Sequence, residues 1–302
     1  MFWLLLTILA YFFLAIVSLF DRYFLVGSIP SPRIYTFNVV ILWFLVGILL
    51  IPFGINLPAV SIILVGLASG LIRALAILFL TEGIIRSEVS RIVPAVSGFL
   101  PIFAFIFFFL YFPITEIVNL YQIIAFVLLV SGSIVISFSK FTKEFIHFKT
   151  LKYPFFSALL FALSFLITKI LFMKTDFLTG FFLTSIGGVI FLGSMLVTPS
   201  FRKEIFTQKV TQKISGLFIF GQIIGGLGVF AQYYAIFLAK PGQVPIINAL
   251  EGTRHLFLLF FVFLLFRWKP LLLKEEMGGM ALFQKITGVL FIVSGLVLLA
   301  FK

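Results

Sequence analysis

The sequence predicts an all-α integral membrane protein: ten transmembrane helices arranged as two five-helix inverted-topology repeats. Three observations lead there. First, 62% of the 302 residues are apolar and 11% are charged, whereas soluble domains carry about 45–50% apolar and about 25% charged residues, so lipid must solvate most of the surface. Second, the apolar runs approach the roughly 20 residues that a helix needs to cross a bilayer. They are apolar on every face, as in 41–50 and 101–110, which excludes barrel strands of alternating polarity. Third, two segments of one half recur in the other.

Charged residues and Pro/Gly breaks delimit the spans. The first, 2–20, starts at Phe2 without a basic stretch and has no small-x-small cleavage pattern before Asp21, so it reads as a retained span and not a signal peptide. The second, 34–53, follows Arg33, and the third, 59–80, follows Pro58. The fourth, 92–112, lies between Arg91 and Pro113, and the fifth, 117–138, between Glu116 and Lys140. The sixth and seventh, 154–173 and 177–198, are separated by Lys174 and Asp176. The eighth, 214–238, follows Lys213; the ninth, 244–266, ends at Arg267; the tenth is 281–301.

Loop charge gives an expected orientation. Lys and Arg number 22 against 10 acids, a net charge of +12. The basic residues gather in the odd loops: Arg22, Arg33, Arg86, Arg91, Lys140, Lys143, Lys149, Lys152, Arg202, Lys203, Lys209, Lys213, Arg267, Lys269 and Lys274. The even loops hold Lys174 and Lys240. The positive-inside rule then makes the odd loops cytoplasmic and turns both termini outward. No basic stretch is long enough to line a nucleic-acid groove, so the excess reads as topology and contact with anionic headgroups. Cysteine is absent, which excludes disulfides and thiolate chemistry.

The repeat is read from two alignments. Ala95 and Gly98 in SRIVPAVSG fall on Ala249 and Gly252 in VPIINALEG, and QIIAFVLLVSG at 122–132 matches QKITGVLFIVSG at 284–295 with one insertion. The division is into residues 1–149 and 150–302. An odd number of spans per copy inverts the second copy and sets the expected binding site at the midplane.

The run from Leu80 to Ile136, with EVSRIVPAVSGFLPIFAFIF and ITEIVNLYQIIAFVLLVSGSIVI, resembles the repeat unit of EamA-type transporters of the drug/metabolite transporter superfamily, and 238–299 resembles its second copy. The Gly-Glu pair often found after the fourth span of that repeat is replaced by Phe112-Pro113, with Glu116 further on. The resemblance implies a secondary transporter whose third, fourth, eighth and ninth helices line a central cavity.

Charges inside spans cost about 2.5–3.5 kcal/mol each on insertion scales and therefore mark candidate sites. Arg73, deep in the third span, is the leading candidate for an anion-coordinating group. The ninth span carries Asn248, Glu251, Arg254 and His255. Glu251, Arg254 and His255 stand at i, i+3 and i+4 and share one helix face. Two readings stay open: Glu251 as a proton or cation acceptor poised by Arg254, or a closed ion pair with His255 as bystander. Pro94, Pro101 and Pro245 free backbone carbonyls. Gln232 is a substrate-binding candidate on the eighth span, while Tyr233 and Tyr234 read as interfacial. Lys169 and Lys285 read as snorkelling, and most of the 44 phenylalanines as facing lipid.

Neither GxxxxGK[ST] nor GxGxxG occurs, so no ATP site is expected, and no cofactor or metal is expected either. The two histidines, His147 and His255, form no catalytic constellation with the acids, so no enzyme activity is expected. The expected function is a secondary active transporter, exporter or exchanger, moving a small polar or amphipathic metabolite across a plasma membrane of prokaryotic type by alternating access. The alternative is a membrane scaffold, or a lipid-acting membrane protein, without transport. Expected partners are a small-molecule substrate and membrane lipid, with a homodimer as an open arrangement and no nucleic acid.

Overall fold

The computed structural model describes residues 2–23, 31–86, 89–112, 120–137, 148–207, 212–268 and 279–300. Many of the loop charges used above, among them Lys140, Lys143, Lys209, Lys269 and Lys274, together with His147 and Glu116, lie outside these residues. The described chain is helical: α1 (Phe2–Tyr23), α2 (Pro32–Leu49), α3 (Val60–Arg86), α4 (Val89–Tyr111), α5 (Leu120–Ser137), α6 (Phe148–Phe172), α7 (Phe177–Leu196), α8 (Pro199–Thr207), α9 (Gln212–Leu238), α10 (Val244–Ala249), α11 (Gly252–Trp268) and α12 (Gly279–Ala300). Short 3-10 turns cover Ile51–Phe53 and Pro241–Gln243.

The all-α class and the multi-pass membrane character stand, but ten full spans in two five-helix inverted repeats do not. Among the described residues, six helical segments are long and apolar enough to cross a membrane: Phe2–Phe20, Pro32–Phe53, Val60–Arg86, Leu151–Phe172, Phe177–Leu196 and Gly216–Leu238. Ala95–Tyr111, Leu120–Val135 and Ile286–Ala300 are shorter apolar helices. The expected ninth span, 244–266, is broken between Ala249 and Gly252 into α10 and α11. Counting apolar runs overlooked this break because apolarity measures lipid solubility, while helix continuity depends on the backbone hydrogen bonds within the run. The polar helix α8, absent from the expected set, follows α7 and buries Phe201.

Lipid supplies no hydrophobic drive between helices, so small residues and hydroxyls make the contacts. Helix α3 sits against α6 and α7, α1 against α9 and α11, and α5 against α12. The α3–α7 approach is reciprocal: a Cβ on Gly70 would strike the carbonyl of Thr184, and one on Gly187 would strike the carbonyl of Leu67. Hydroxyls join α3 to α6. Ser69 Oγ and Thr168 Oγ1 are 2.6 Å apart, Ser164 Oγ donates to the Ser69 carbonyl at 3.1 Å, and Ser157 Oγ donates to the Ala76 carbonyl at 3.0 Å. A fixed α3 is thereby presented to α6, one turn before Arg73.

Lys169 departs from the snorkelling expectation. It is 4% exposed, and its Nζ donates to the carbonyls of Ile236 (3.2 Å), Phe237 (3.3 Å) and Ala239 (2.5 Å). These are the acceptors that the C-terminal turn of α9 leaves free, and a cation there also meets the negative end of the helix dipole. The long side chain of α6 thus caps another helix and does not reach for the headgroups.

Two stability outcomes follow from these contacts. Gly187→Ala is expected to lower the unfolding free energy in detergent by about 1–3 kcal/mol through overpacking, while Gly193→Ala, with nothing within 4 Å of its added Cβ, leaves it within about 0.5 kcal/mol. Equal thermal shifts for the two would contradict the close α3–α7 approach. Lys169→Met is expected to cost about 2 kcal/mol, the loss of hydrogen bonds to a charged donor; an unchanged melting curve would show that the cap contributes nothing.

Candidate functional site

Arg73 rises from α3 into the largest buried cluster, three residues after the tight glycine contact at Gly70. It is 6% exposed. Four rings surround its Cζ: Tyr233 of α9 at 4.9 Å, Trp43 of α2 at 5.4 Å, and Phe165 and Phe161 of α6 at 5.6 and 5.7 Å. No carboxylate pairs with it among the described residues. Cation–π contacts contribute about 0.5–1 kcal/mol at exposed sites and about 2 kcal/mol or more when desolvated. Four of them are comparable to the insertion cost of one arginine at a helix centre, about 2.5–3.5 kcal/mol. The rings therefore make the charge tolerable without an acid.

Rings do not satisfy N–H groups. Arg73 Nη1, Trp43 Nε1 and the Tyr233 hydroxyl are all buried without a hydrogen-bond partner. The first two are donors only and the third donates or accepts. The box is thus rich in donors and carries a net positive charge, with the Tyr233 hydroxyl as the one group in this trio able to accept. The rings are held in turn by edge contacts: Trp43 against Tyr233 and Phe181, and Tyr233 against Phe172 and Phe181.

The second polar group sits where α10 meets α11. Pro245 begins α10, and the helix tightens at its end. Glu251 N–H donates to the Asn248 carbonyl at 3.1 Å, Thr253 N–H to Leu250 at 2.9 Å and Arg254 N–H to Glu251 at 2.9 Å. These i to i−3 bonds describe a 3-10 turn, which eclipses side chains three residues apart. Gly252 lies at this turn, where a Cβ would strike Ser133 Oγ of α5. Asn248, Glu251 and His255 are buried. Arg254 Nη1 reaches Glu251 Oε1 at 3.3 Å, while its Nε and Nη2 both donate to Ser18 Oγ of α1, at 2.8 and 2.5 Å. The expected Glu251–Arg254 pair is therefore present, but the guanidinium is bound more closely to α1 than to its own helix's acid.

Gln232 connects the two groups. Its Nε2 donates to the Tyr11 hydroxyl at 3.3 Å, and that hydroxyl donates to the Ile247 carbonyl at 2.9 Å. Tyr11 lies within electrostatic reach of Glu251, Arg254 and Arg73. Gln232 and Tyr233 are neighbours on α9, one turned to Tyr11 and the other to Arg73. Of the sequence-derived candidates, Asn248, Glu251, Arg254 and His255 come together at one turn, Gln232 borders it, and Arg73 stands apart in its aromatic box.

Sequence reasoning missed several participants. Tyr233 reads as interfacial in the sequence but is fully buried, and nothing in the sequence distinguishes Phe161 and Phe165 from the other phenylalanines. Ser18 and Tyr11 carry no signal in their own helix; only the packing of α1 on α9 and α11 brings them in. Trp43 had one usable signal, its depth within an apolar run.

No family model matches the chain, and no curated protein matches it. A solved structure described as "Crystal structure of protein" matches with a TM-score of 0.66 at 17% sequence identity, covering 97% of this chain and 97% of that chain. At that identity the likeness is one of fold.

Proposed function

We propose that the protein is a secondary active transporter, exporter or exchanger, for a small polar or amphipathic metabolite that carries an anionic group. The observation that carries the reading is the Arg73 box: a buried cation with unpartnered donors on Arg73 and Trp43 and an unpartnered Tyr233 hydroxyl, and no carboxylate paired to it among the described residues. A structural arginine would have its N–H groups on carbonyls, as Lys169 has its ammonium. An anion entering the box would supply both the acceptors and the counter-charge, and a bidentate fit to the guanidinium would add geometric selectivity. The aromatic walls suit an amphipathic body beside that anion.

Access to such a site would alternate by small sliding of packed helices against one another, with α3 held to α7 by their glycine contact. The resemblance of 80–136 and 238–299 to EamA-type transporters supports the same class. The membrane in which it works is, on this reading, the plasma membrane of a prokaryote. Its driving force would be a gradient or counter-substrate.

Purified protein screened by thermal unfolding against carboxylates, phosphates and neutral analogues tests the reading, followed by counterflow of any ligand found into proteoliposomes. An anionic ligand at one hundred times its Kd should add about 2.7 kcal/mol. Arg73→Ala should abolish both the shift and the counterflow, and Arg73→Lys should weaken them by replacing the planar fork with a point charge. Shifts that are equal in wild type and Arg73→Ala would contradict the proposal, as would counterflow that survives Arg73→Ala.

A further inference from the structure

The turn between α10 and α11 has a hydrogen-bonding demand opposite to that of the Arg73 box. Asn248 is 0% exposed, and Glu251 and His255 are each 7% exposed. Both amide atoms of Asn248, Glu251 Oε2 and His255 Nε2 are buried without a hydrogen-bond partner. The 3-10 bonds at Glu251 and Arg254 align Asn248 with Glu251, and His255 follows Glu251 by four residues on the same side.

The surrounding elements leave this shortage in place. On α11, Arg254 gives Glu251 Oε1 a single contact at 3.3 Å and commits Nε and Nη2 to Ser18 of α1. From α1, the Tyr11 hydroxyl donates to the Ile247 carbonyl instead. From α9, Gln232 donates to Tyr11. From α4, the Ser97 hydroxyl, which donates to the Val93 carbonyl at 3.1 Å, also lies within hydrogen-bonding reach of the Glu251 carboxylate. From α5, the Ser133 hydroxyl donates to the Leu129 carbonyl at 2.8 Å. Apart from Ser97 and the Asn248 amide nitrogen, each of these donors is thus engaged elsewhere, and Glu251 Oε2 keeps no partner.

The inventory then decides the ligand. A carboxylate oxygen and an amide oxygen only accept, and an imidazole protonated at Nδ1 accepts at Nε2. With His255 in the tautomer protonated at Nδ1, three unpartnered acceptors stand along one side of this turn with one free donor group, the Asn248 amide nitrogen. Buried acceptors left unpaired are costly, and the carboxylate is the most costly of them. A primary ammonium carries three donors, no acceptor and a positive charge. A proton placed on Glu251 Oε2 supplies the same chemistry in its smallest form, with Asn248 Oδ1 or His255 Nε2 to accept from it.

We propose that Asn248, Glu251 and His255 form a binding site for a cationic hydrogen-bond donor, an ammonium group or a proton, separate from the anion site at Arg73. It goes beyond the transport reading and does not depend on it. The read-out is binding to purified protein, so its failure and a failure of anion transport are distinguishable.

The test is thermal unfolding of the full chain in detergent with ethylammonium chloride, against tetramethylammonium chloride at equal ionic strength. The second ion has the same charge and no N–H donor. The expected result is a saturable rise in Tm with ethylammonium only, lost in Glu251→Gln and weakened in Asn248→Ala. Asn248→Ala leaves the Glu251–Arg254 pair in place and serves as the comparison should Glu251→Gln unfold. A second arm titrates each protein between about pH 5 and pH 8 without added amine. If the occupant is the proton, ethylammonium has no effect and the wild-type Tm varies with pH in a way that Glu251→Gln removes. The proposal is overturned if both salts act alike on wild type and variants, or if neither acts and the pH profiles of wild type, Glu251→Gln and Asn248→Ala coincide.

Discussion

A guanidinium buried among apolar helices without an acid is the constraint around which the rest of the structure is organised. The cost of leaving Arg73 in lipid-like surroundings is several kcal/mol, and the protein meets it with faces of rings, which attract a cation but occupy none of its N–H groups. Three helices, α2, α6 and α9, must hold those rings in register with α3. Helix α3 is fixed on α7 by the Gly70 and Gly187 contacts and on α6 by the Ser69–Thr168 hydroxyls. Trp43 and Tyr233 are fixed by each other and by Phe181. Lys169 caps α9 at carbonyls three to six residues beyond Tyr233 and steadies the helix that carries both Gln232 and Tyr233.

The interior is therefore polarised in two senses. Around Arg73 the unpartnered nitrogens are donors, and around Glu251 the unpartnered oxygens are acceptors. Between them run Gln232 and Tyr11, whose hydrogen bonds tie α9 to α1 and α1 to the Ile247 carbonyl of α10. Among the described residues, Arg73 and Glu251 form no ion pair with one another. Instead Glu251 is matched only by a divided Arg254, which Ser18 holds to α1. Separation of the charges, and not their mere presence in the membrane, favours ligand binding over simple fastening.

The sequence revealed these charges more readily than it revealed their surroundings. Arg73 and Glu251 stood out because apolar runs make any ionised residue expensive, and the i, i+3 spacing of Glu251 and Arg254 already put them on one face. The partners were illegible for a physical reason. Ser18, Tyr11 and Thr168 look like ordinary membrane-helix residues, and their roles come from contacts between helices far apart in sequence. Tyr233 misled because the nearness of a helix end suggested an interface, whereas Lys169 and the Pro241–Gln243 turn bury that end. The expected ninth span is not one continuous helix because composition cannot register a 3-10 turn at Gly252 inside an apolar stretch.

The claim that Arg73 is a buried charge without a partner can be measured directly by giving it one. A double-mutant cycle with Phe165→Glu and Arg73→Met compares the unfolding free energies of four proteins, since the Phe165 ring centroid lies 5.6 Å from the guanidinium carbon. The account predicts that the new carboxylate is tolerated beside Arg73 and is severely destabilising beside methionine, with a favourable coupling of about 1–3 kcal/mol. Additive effects, with coupling near zero, would mean that Arg73 is already neutralised and would contradict the account.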